Sequence, residues 1–110
     1  MKKVYVLPPE EDWVCDRVVK EWREDNADIN VNNPKDADVV WLYSDWCWTR
    51  VPTGFLASKK VLVTIHHVVP EKFGARERQE FLLRDCYARA YHAPNEHTAA
   101  FVRNLTDKPV

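Results

Sequence analysis

Short continuous apolar runs alternate along the chain with longer stretches in which apolar residues recur at helical period. Runs of strand length that are rich in Val and Leu lie at residues 3–7, 39–43 and 60–66, and a further strand is predicted at residues 88–93, where Arg89 and His92 interrupt the apolar residues. An unbroken apolar run is typical of a parallel strand covered on both faces, and residues 61–65 are the strongest example. With a brief run at residues 28–31, the pattern predicts a mainly parallel sheet of about five strands.

Residues 10–25 follow a helical period, and residues 73–87 also have the pattern of a helix. A short helix is predicted at residues 51–58, and Asn95 would cap a last helix over residues 95–105. Residues 45–50 are predicted to be a loop, and residues 108–110 to begin a further strand. Strands that alternate with helices form parallel sheets with right-handed crossovers. We therefore predict an α/β protein, a three-layer Rossmann-like domain over residues 1–110 with helices flanking the sheet. The link between residues 28–31 and 39–43 is too short for a helical crossover, so residues 28–31 are either antiparallel or a marginal edge.

Composition narrows the class of protein. A chain of 110 residues is the size of one domain, and 16 basic against 17 acidic residues disfavour a nucleic-acid or anionic-membrane partner bound by bulk charge. No apolar stretch approaches the ~20 residues of a membrane span, and the N-terminus does not resemble a signal peptide. The three cysteines form no C-x-x-C pair, which favours a reducing compartment and predicts a cytoplasmic protein.

Candidate chemistry gathers where the predicted strands end. In open α/β sheets, ligands bind beyond the carboxyl ends of the strands. His66 and His67 end the strongest strand. Neighbouring strand residues point to opposite faces, so at most one of the two can face a given pocket. That histidine could act as a general base toward a hydroxyl. The alternative is a hydrogen-bonded histidine that holds a loop. Trp46 and Trp48 would line a groove, whereas Trp41 belongs to the core.

Other candidates at the same edge have both structural and functional interpretations. Glu10, Glu11 and Asp12 suit the first turn of a helix, and Asn95 suits a helix cap, although N–H groups beside it could hold a ligand. A zinc site could be built from His66, His67, His92 and Cys47, but their spacing matches no zinc motif. We therefore predict no metal. The chain has only two glycines and neither a dinucleotide nor a P-loop motif, so we predict no cofactor.

A series of short motifs lies at residues 63–73, 84–85, 91–98 and 105–109, with supporting motifs at residues 8–13, 16–17, 21–22, 41–42 and 46–48. In this order they resemble the amino-terminal half of glycosyltransferases of the GT-B type. Those most similar are the family-4-like retaining enzymes, which use nucleotide-sugar donors. The glycine-rich first loop of many such enzymes is replaced here by Pro8-Pro9-Glu10-Glu11.

The resemblance implies a Rossmann-like domain that binds a sugar or another hydroxylated acceptor at an interdomain cleft. The nucleotide-sugar would be held by a carboxyl-terminal donor domain, which these residues lack, so they should not catalyse transfer alone. By analogy, the residues facing the cleft would be His66 or His67 and the substrate-binding set Glu10, Glu11, Asp12, Trp13, Trp46, Trp48, Asn95 and Glu96.

Two other functions remain open at this point. One is a standalone interaction module, in which the face left without its partner domain favours a homodimer. The other is a small independent enzyme that uses the histidines at the strand ends, with or without a metal.

Overall fold

The computed structural model describes residues 2–10, 14–66 and 68–110. These residues contain one parallel sheet. Its four strands are paired in chain order and are β1 (Val4–Leu7), β2 (Val39–Leu42), β3 (Lys60–Thr64) and β4 (Ala88–His92). The α-helices are α1 (Val14–Asp25), α2 (Thr53–Ser58), α3 (Ala75–Asp85) and α4 (Glu96–Arg103), and short 3-10 helices lie at Pro34–Asp36, Asp45–Arg50 and Pro70–Lys72. The predicted α/β class and parallel sheet are confirmed.

The sheet has helices on both faces. Val6, Trp41 and Leu62 occupy one row across β1 to β3 and point toward α1, where Trp22 packs edge-on against Trp41. The next row, containing Leu42 and Val63, points to the opposite face and joins a buried core with residues of α2, α3 and α4. Strand residues alternate between faces, which is why these apolar runs are continuous.

The prediction of about five strands is slightly wrong, because residues 28–31 form only an isolated bridge. Asn30 pairs parallel to Val4, and the Val31 N–H donates to the Val4 carbonyl at 3.0 Å. Pro34 begins a 3-10 helix soon afterwards, so the chain turns away before a ladder can extend. Of the two alternatives for this segment, the structure shows a marginal edge.

Because of this bridge, the order in which the chain adds segments to the sheet reverses once. From β1 the chain passes through α1 to the outer side of β1, then returns to build β2, β3 and β4 on the other side. The point where the order reverses lies between β1 and β2. In open parallel sheets such a reversal opens a crevice at the carboxyl ends of the two strands.

Local capping explains where the helix boundaries differ from those predicted. The helix predicted from residue 73 begins at Ala75, because Gly74 is its N-cap and donates its N–H to the Glu77 carboxylate at 3.1 Å. The helix predicted from residue 51 begins after Pro52. Residues 45–50, predicted to be a loop, form a 3-10 helix.

The last residues of the chain are held against β4 and α3. The Tyr91 N–H donates to the Pro109 carbonyl at 2.9 Å, so residue 109 lies beside β4 without an assigned strand. The Asp85 carboxylate accepts hydrogen bonds from the hydroxyls of Tyr91 at 2.5 Å and Thr106 at 2.9 Å, and the Lys108 ammonium donates to the Asp85 carbonyl. Burial, followed by the bond to Asp85, raises the pKa of Tyr91 well above its ordinary value.

None of the helices in the described part of the chain is both long and apolar enough to cross a bilayer.

Candidate functional site

Two segments that contact each other lie at the carboxyl ends of β1 and β2, where the reversal of strand order predicts a crevice. The first loop (residues 8–10, as far as the structure describes it) follows β1, and the tryptophan segment (Asp45–Arg50) follows β2. The Arg50 guanidinium donates to the Pro9 carbonyl at 2.8 Å, and the Cys47 thiol lies 3.9 Å from the Pro8 carbonyl. These contacts bring the two segments together at the carboxyl edge of the sheet.

Glu10 adopts the left-handed backbone conformation at this crevice, with φ of 60°. That conformation costs a non-glycine residue roughly 1–2 kcal/mol. Its N–H donates to the Asp16 carboxylate at 2.8 Å, and its own carboxylate lies 3.9 Å from Arg50 with both side chains exposed. Glu10 thus takes up a conformation that would favour glycine. Glu11, Asp12 and Trp13, the other first-loop candidates, lie outside the described residues.

A cavity of about 390 Å³ opens beside the tryptophan segment, on the face covered by α3 and α4. Its walls are mostly apolar and come from the end of β3, the loop after it, α3 and α4; they include Ile65, Val68, Val69, Phe73, Phe81, Val102 and Leu105. Trp46 lines the cavity and is 39% exposed, with the Arg50 guanidinium 4.5 Å from its ring centroid. Mostly apolar walls with a few polar groups are typical of small-molecule sites.

The polar groups of this cavity are arranged around a buried ion pair. The Arg84 side chain is 5% exposed, and its guanidinium lies 3.2 Å from the carboxylate of Asp45, which is 42% exposed. The guanidinium also stacks 5.0 Å from the Phe81 ring centroid, and its Nε is buried with no hydrogen-bond partner among the described residues. Lys72, Glu77 and Glu80 complete the lining.

His66 lies on the other face of the sheet, beside α1. Its Nε2 is 2.6 Å from the Tyr43 carbonyl and 3.9 Å from the Cys15 thiol. A carbonyl only accepts hydrogen bonds, so Nε2 carries the proton and Nδ1 keeps the lone pair. Burial raises the pKa of Tyr43, whose ring packs 5.0 Å from that of His66, and Cys15 adds to the rise. His67 lies outside the described residues.

The other three sequence candidates lie apart from the cavity lining. Trp48 is half-buried, packs against the core and has its ring 6.4 Å from that of Tyr87. The Asn95 side chain accepts the Thr98 N–H at 2.9 Å, which makes it the N-cap of α4. Glu96 pairs with Arg103 at 2.6 Å in solvent. The structure therefore brings Trp46 to the cavity but neither Trp48, Asn95 nor Glu96.

Sequence reasoning missed most of the polar groups of this cavity. Asp45 belongs to the tryptophan segment but drew no separate prediction, and Arg84 was noted only as part of a motif. Arg84 follows Phe81 by three residues, the spacing that places two side chains on one face of a helix. A cation on the core face of an otherwise polar helix was the available signal for a buried ion pair.

No group of three or more His, Cys, Asp or Glu side chains within residues 2–10, 14–66 and 68–110 is arranged to hold a metal ion. The hypothetical zinc ligands include His67, which lies outside those ranges.

No protein-family model, curated protein or solved structure significantly matches this chain.

Proposed function

We propose that this α/β unit is the acceptor-binding half of a glycosyltransferase of the GT-B type, and that these 110 residues do not transfer sugar alone. The observation that carries the proposal is the open cavity with Trp46 on its wall, at the carboxyl edge of a parallel sheet. The ordered motifs of the sequence resemblance support it independently. The donor would bind a second domain, across the cleft from this edge.

The cavity offers both kinds of contact that a hydroxylated ligand needs. The Trp46 ring can stack on the apolar face of a sugar or of another ring. The carboxylates of Asp45, Glu77 and Glu80 can accept hydrogen bonds from ligand hydroxyls, and the Lys72 ammonium can donate. The Asp45 carboxylate is already oriented by Arg84, which reduces the conformational entropy lost when it binds a hydroxyl.

Proton abstraction from the acceptor hydroxyl is assigned in this proposal to His66 or His67. For His66 the nitrogen available as a base is Nδ1, because Nε2 donates to Tyr43. Since His66 lies on the α1 face and the Trp46 cavity on the opposite face, an acceptor bound beside Trp46 would have to extend around the carboxyl end of β3 to reach it.

Binding is tested by titrating the isotope-labelled chain with methyl glycosides and phenyl glycosides, followed by amide and indole chemical shifts. We expect saturable shifts at Trp46, Val69 and Phe73, with affinity about 10-fold lower in Trp46→Ala, since stacking of one ring contributes roughly 1–1.5 kcal/mol. Leu82→Ala, which removes an exposed α3 side chain outside the cavity lining, is the matched control. Binding that Trp46→Ala leaves unchanged would refute this site.

Dependence on a donor domain is tested separately, with radiolabelled nucleotide-sugars and the same glycosides as acceptors. We expect no labelled product from these residues alone. Turnover by the isolated chain would show that it does not need a donor domain.

An interaction module is the second candidate, and exposed apolar side chains favour it. Leu82 and Leu83 on α3 are 52% and 54% exposed, and Val14 on α1 is 62% exposed. α1 and α3 lie on opposite faces of the sheet, so in a dimerisation module a second copy would cover either Leu82 and Leu83 or Val14. Sedimentation velocity over a range of concentrations distinguishes the two, because an acceptor-binding half stays monomeric and a dimerisation module does not.

A further inference from the structure

A second, smaller cavity of about 100 Å³ lies between α1 and the sheet, on the face opposite the Trp46 cavity. Trp22 and Val18 of α1 form one wall, and Val6, Trp41 and Tyr43 line the sheet side, with His92 from the end of β4. Val18 is 37% exposed and His92 is exposed, so the cavity reaches solvent.

The aromatic walls are arranged edge to face. The rings of Trp22 and Trp41 are 5.5 Å apart with an interplanar angle of 86°, and Trp41 and Tyr43 are 5.5 Å apart at 60°. Aromatic rings favour such perpendicular or tilted partners because the positive edge of one meets the negative face of another. A ligand ring in this cavity could therefore contact the face of one aromatic side chain and the edge of another.

Buried Thr64 contacts both Trp41 and His92. The Trp41 indole N–H donates to the Thr64 hydroxyl at 2.8 Å, and that hydroxyl lies 3.2 Å from Nδ1 of His92. The hydroxyl can donate its own hydrogen to Nδ1 or accept from an Nδ1 N–H, and the histidine tautomer decides between the two. In the tautomer with its proton on Nε2, that N–H is available to a ligand.

We propose that this cavity binds a single neutral aromatic ring that carries a hydrogen-bond acceptor, and that Nε2 of His92 donates to that acceptor. Apolar cavities in proteins can take up single aromatic rings such as benzene. This cavity has a volume of about 100 Å³ and opens to solvent, so a ring that enters it would stay partly exposed. The described lining contains no Asp, Glu, Lys or Arg, so a charged ligand would lose hydration without gaining an ion pair. This inference does not depend on the proposed function.

Three small aromatic probes test separately the roles of the ring, of the hydrogen-bond acceptor and of the ligand charge. Benzamide has a ring and a neutral acceptor, toluene lacks the acceptor, and benzoate replaces the neutral amide with a carboxylate. Their binding is measured on the full chain by shifts of the Trp22 and Trp41 indole protons and of the His92 ring. We expect benzamide to bind with a dissociation constant on the order of millimolar, and toluene and benzoate about 5-fold or more weakly.

Substitutions identify the groups responsible. His92→Phe keeps a ring at an exposed position but removes the donor, so benzamide should bind about 5-fold more weakly while toluene is unaffected. Thr64→Val should also weaken benzamide binding, because the His92 ring then loses the hydrogen bond to the Thr64 hydroxyl that orients it. Val18→Phe should fill the cavity and abolish binding, whereas Val14→Phe, on the same helix but outside the lining, should leave it unchanged.

Two results would overturn the inference. Absence of saturable shifts at Trp22, Trp41 and His92 with benzamide would show that the cavity takes no ring. Equal affinity for benzamide and toluene, unchanged in His92→Phe, would show that His92 does not recognise an acceptor. Because His92→Phe alters an exposed residue, it provides an answer even if Thr64→Val proves unstable. Glycoside binding at Trp46 in these variants reports on the proposed function independently.

Discussion

The buried ion pair between Arg84 and Asp45 predicts an asymmetry between substitutions at its two ends. The Arg84 side chain is 5% exposed and that of Asp45 is 42% exposed. The buried guanidinium therefore loses more when its partner is removed than the carboxylate does, because water can solvate the carboxylate. Removing the carboxylate by Asp45→Ala leaves a guanidinium buried without its counter-ion. Removing the guanidinium by Arg84→Met leaves a carboxylate that water can reach, and an apolar side chain that still contacts Phe81.

The expected free energies of unfolding follow from this difference. Breaking a fully buried pair from one side costs about 3–5 kcal/mol because a buried charge is left uncompensated, whereas replacing a buried pair by apolar side chains of similar volume is often close to neutral. Because Asp45 is partly exposed, we expect Asp45→Ala to cost roughly 2–3 kcal/mol, near the value of a hydrogen bond to a charged group. Arg84→Met should cost less than about 1 kcal/mol.

Urea unfolding of the two variants and of the double variant measures these terms. With a denaturant dependence of about 1.5 kcal/mol per molar urea, Asp45→Ala should lower the midpoint by roughly 1–2 M. Adding Arg84→Met to Asp45→Ala should restore most of that loss, because the unpaired charge is then removed. Glu96→Ala, which breaks the exposed pair with Arg103, is the matched control and should change stability by less than about 0.5 kcal/mol.

Two outcomes would contradict this prediction: greater destabilisation by Arg84→Met than by Asp45→Ala, or a double variant less stable than Asp45→Ala. Either result would mean that the guanidinium stabilises the fold by itself, through Phe81 or through contacts other than Asp45.

Two further predictions concern single residues. The raised pKa of Tyr91 means that its hydroxyl is protonated in both states below about pH 10, whereas above that pH the unfolded chain loses the proton first and stability falls. Urea unfolding should therefore show a smaller loss between about pH 9 and pH 11 in Tyr91→Phe than in the parent chain, and an equal loss would contradict the cause assigned to the shift. Asn95→Ala should lower stability by about 1 kcal/mol and accelerate amide exchange in α4, since Asn95 caps that helix. Loss of glycoside binding in Asn95→Ala with unchanged stability would instead support the ligand-binding interpretation.

Much of the fold could be predicted from the order of residues, because a buried parallel strand has a distinctive composition. The apolar run at residues 61–65 needed no knowledge of its neighbours to be recognised, and β3 lies within it. The helices were also evident from their period. Their ends were less so, because Gly74 and Pro52 act through caps and backbone geometry that an apolar pattern does not record.

The candidate site was only partly predictable. Trp46 could be placed at the carboxyl edge because strand ends follow from the strands themselves. The partner of Asp45, by contrast, lies 39 residues away in α3, and no local pattern connects the two. Asn95 and Trp48 lie beyond predicted strand ends, as Trp46 does. Asn95 nevertheless caps a helix, and Trp48 packs on the core.

The α/β class, the parallel strands and the polar residues at their carboxyl ends are all consequences of residue order, since they follow from periodicity and from the two-sided burial of strands. Which cavity or contact each residue joins depends instead on the packing of the strands and helices. Ile65 and Thr64 are neighbours in the chain, but Ile65 faces the Trp46 cavity and Thr64 connects Trp41 to His92 on the other side. Strand pairing and helix docking set those contacts, and they join residues that are distant in the chain.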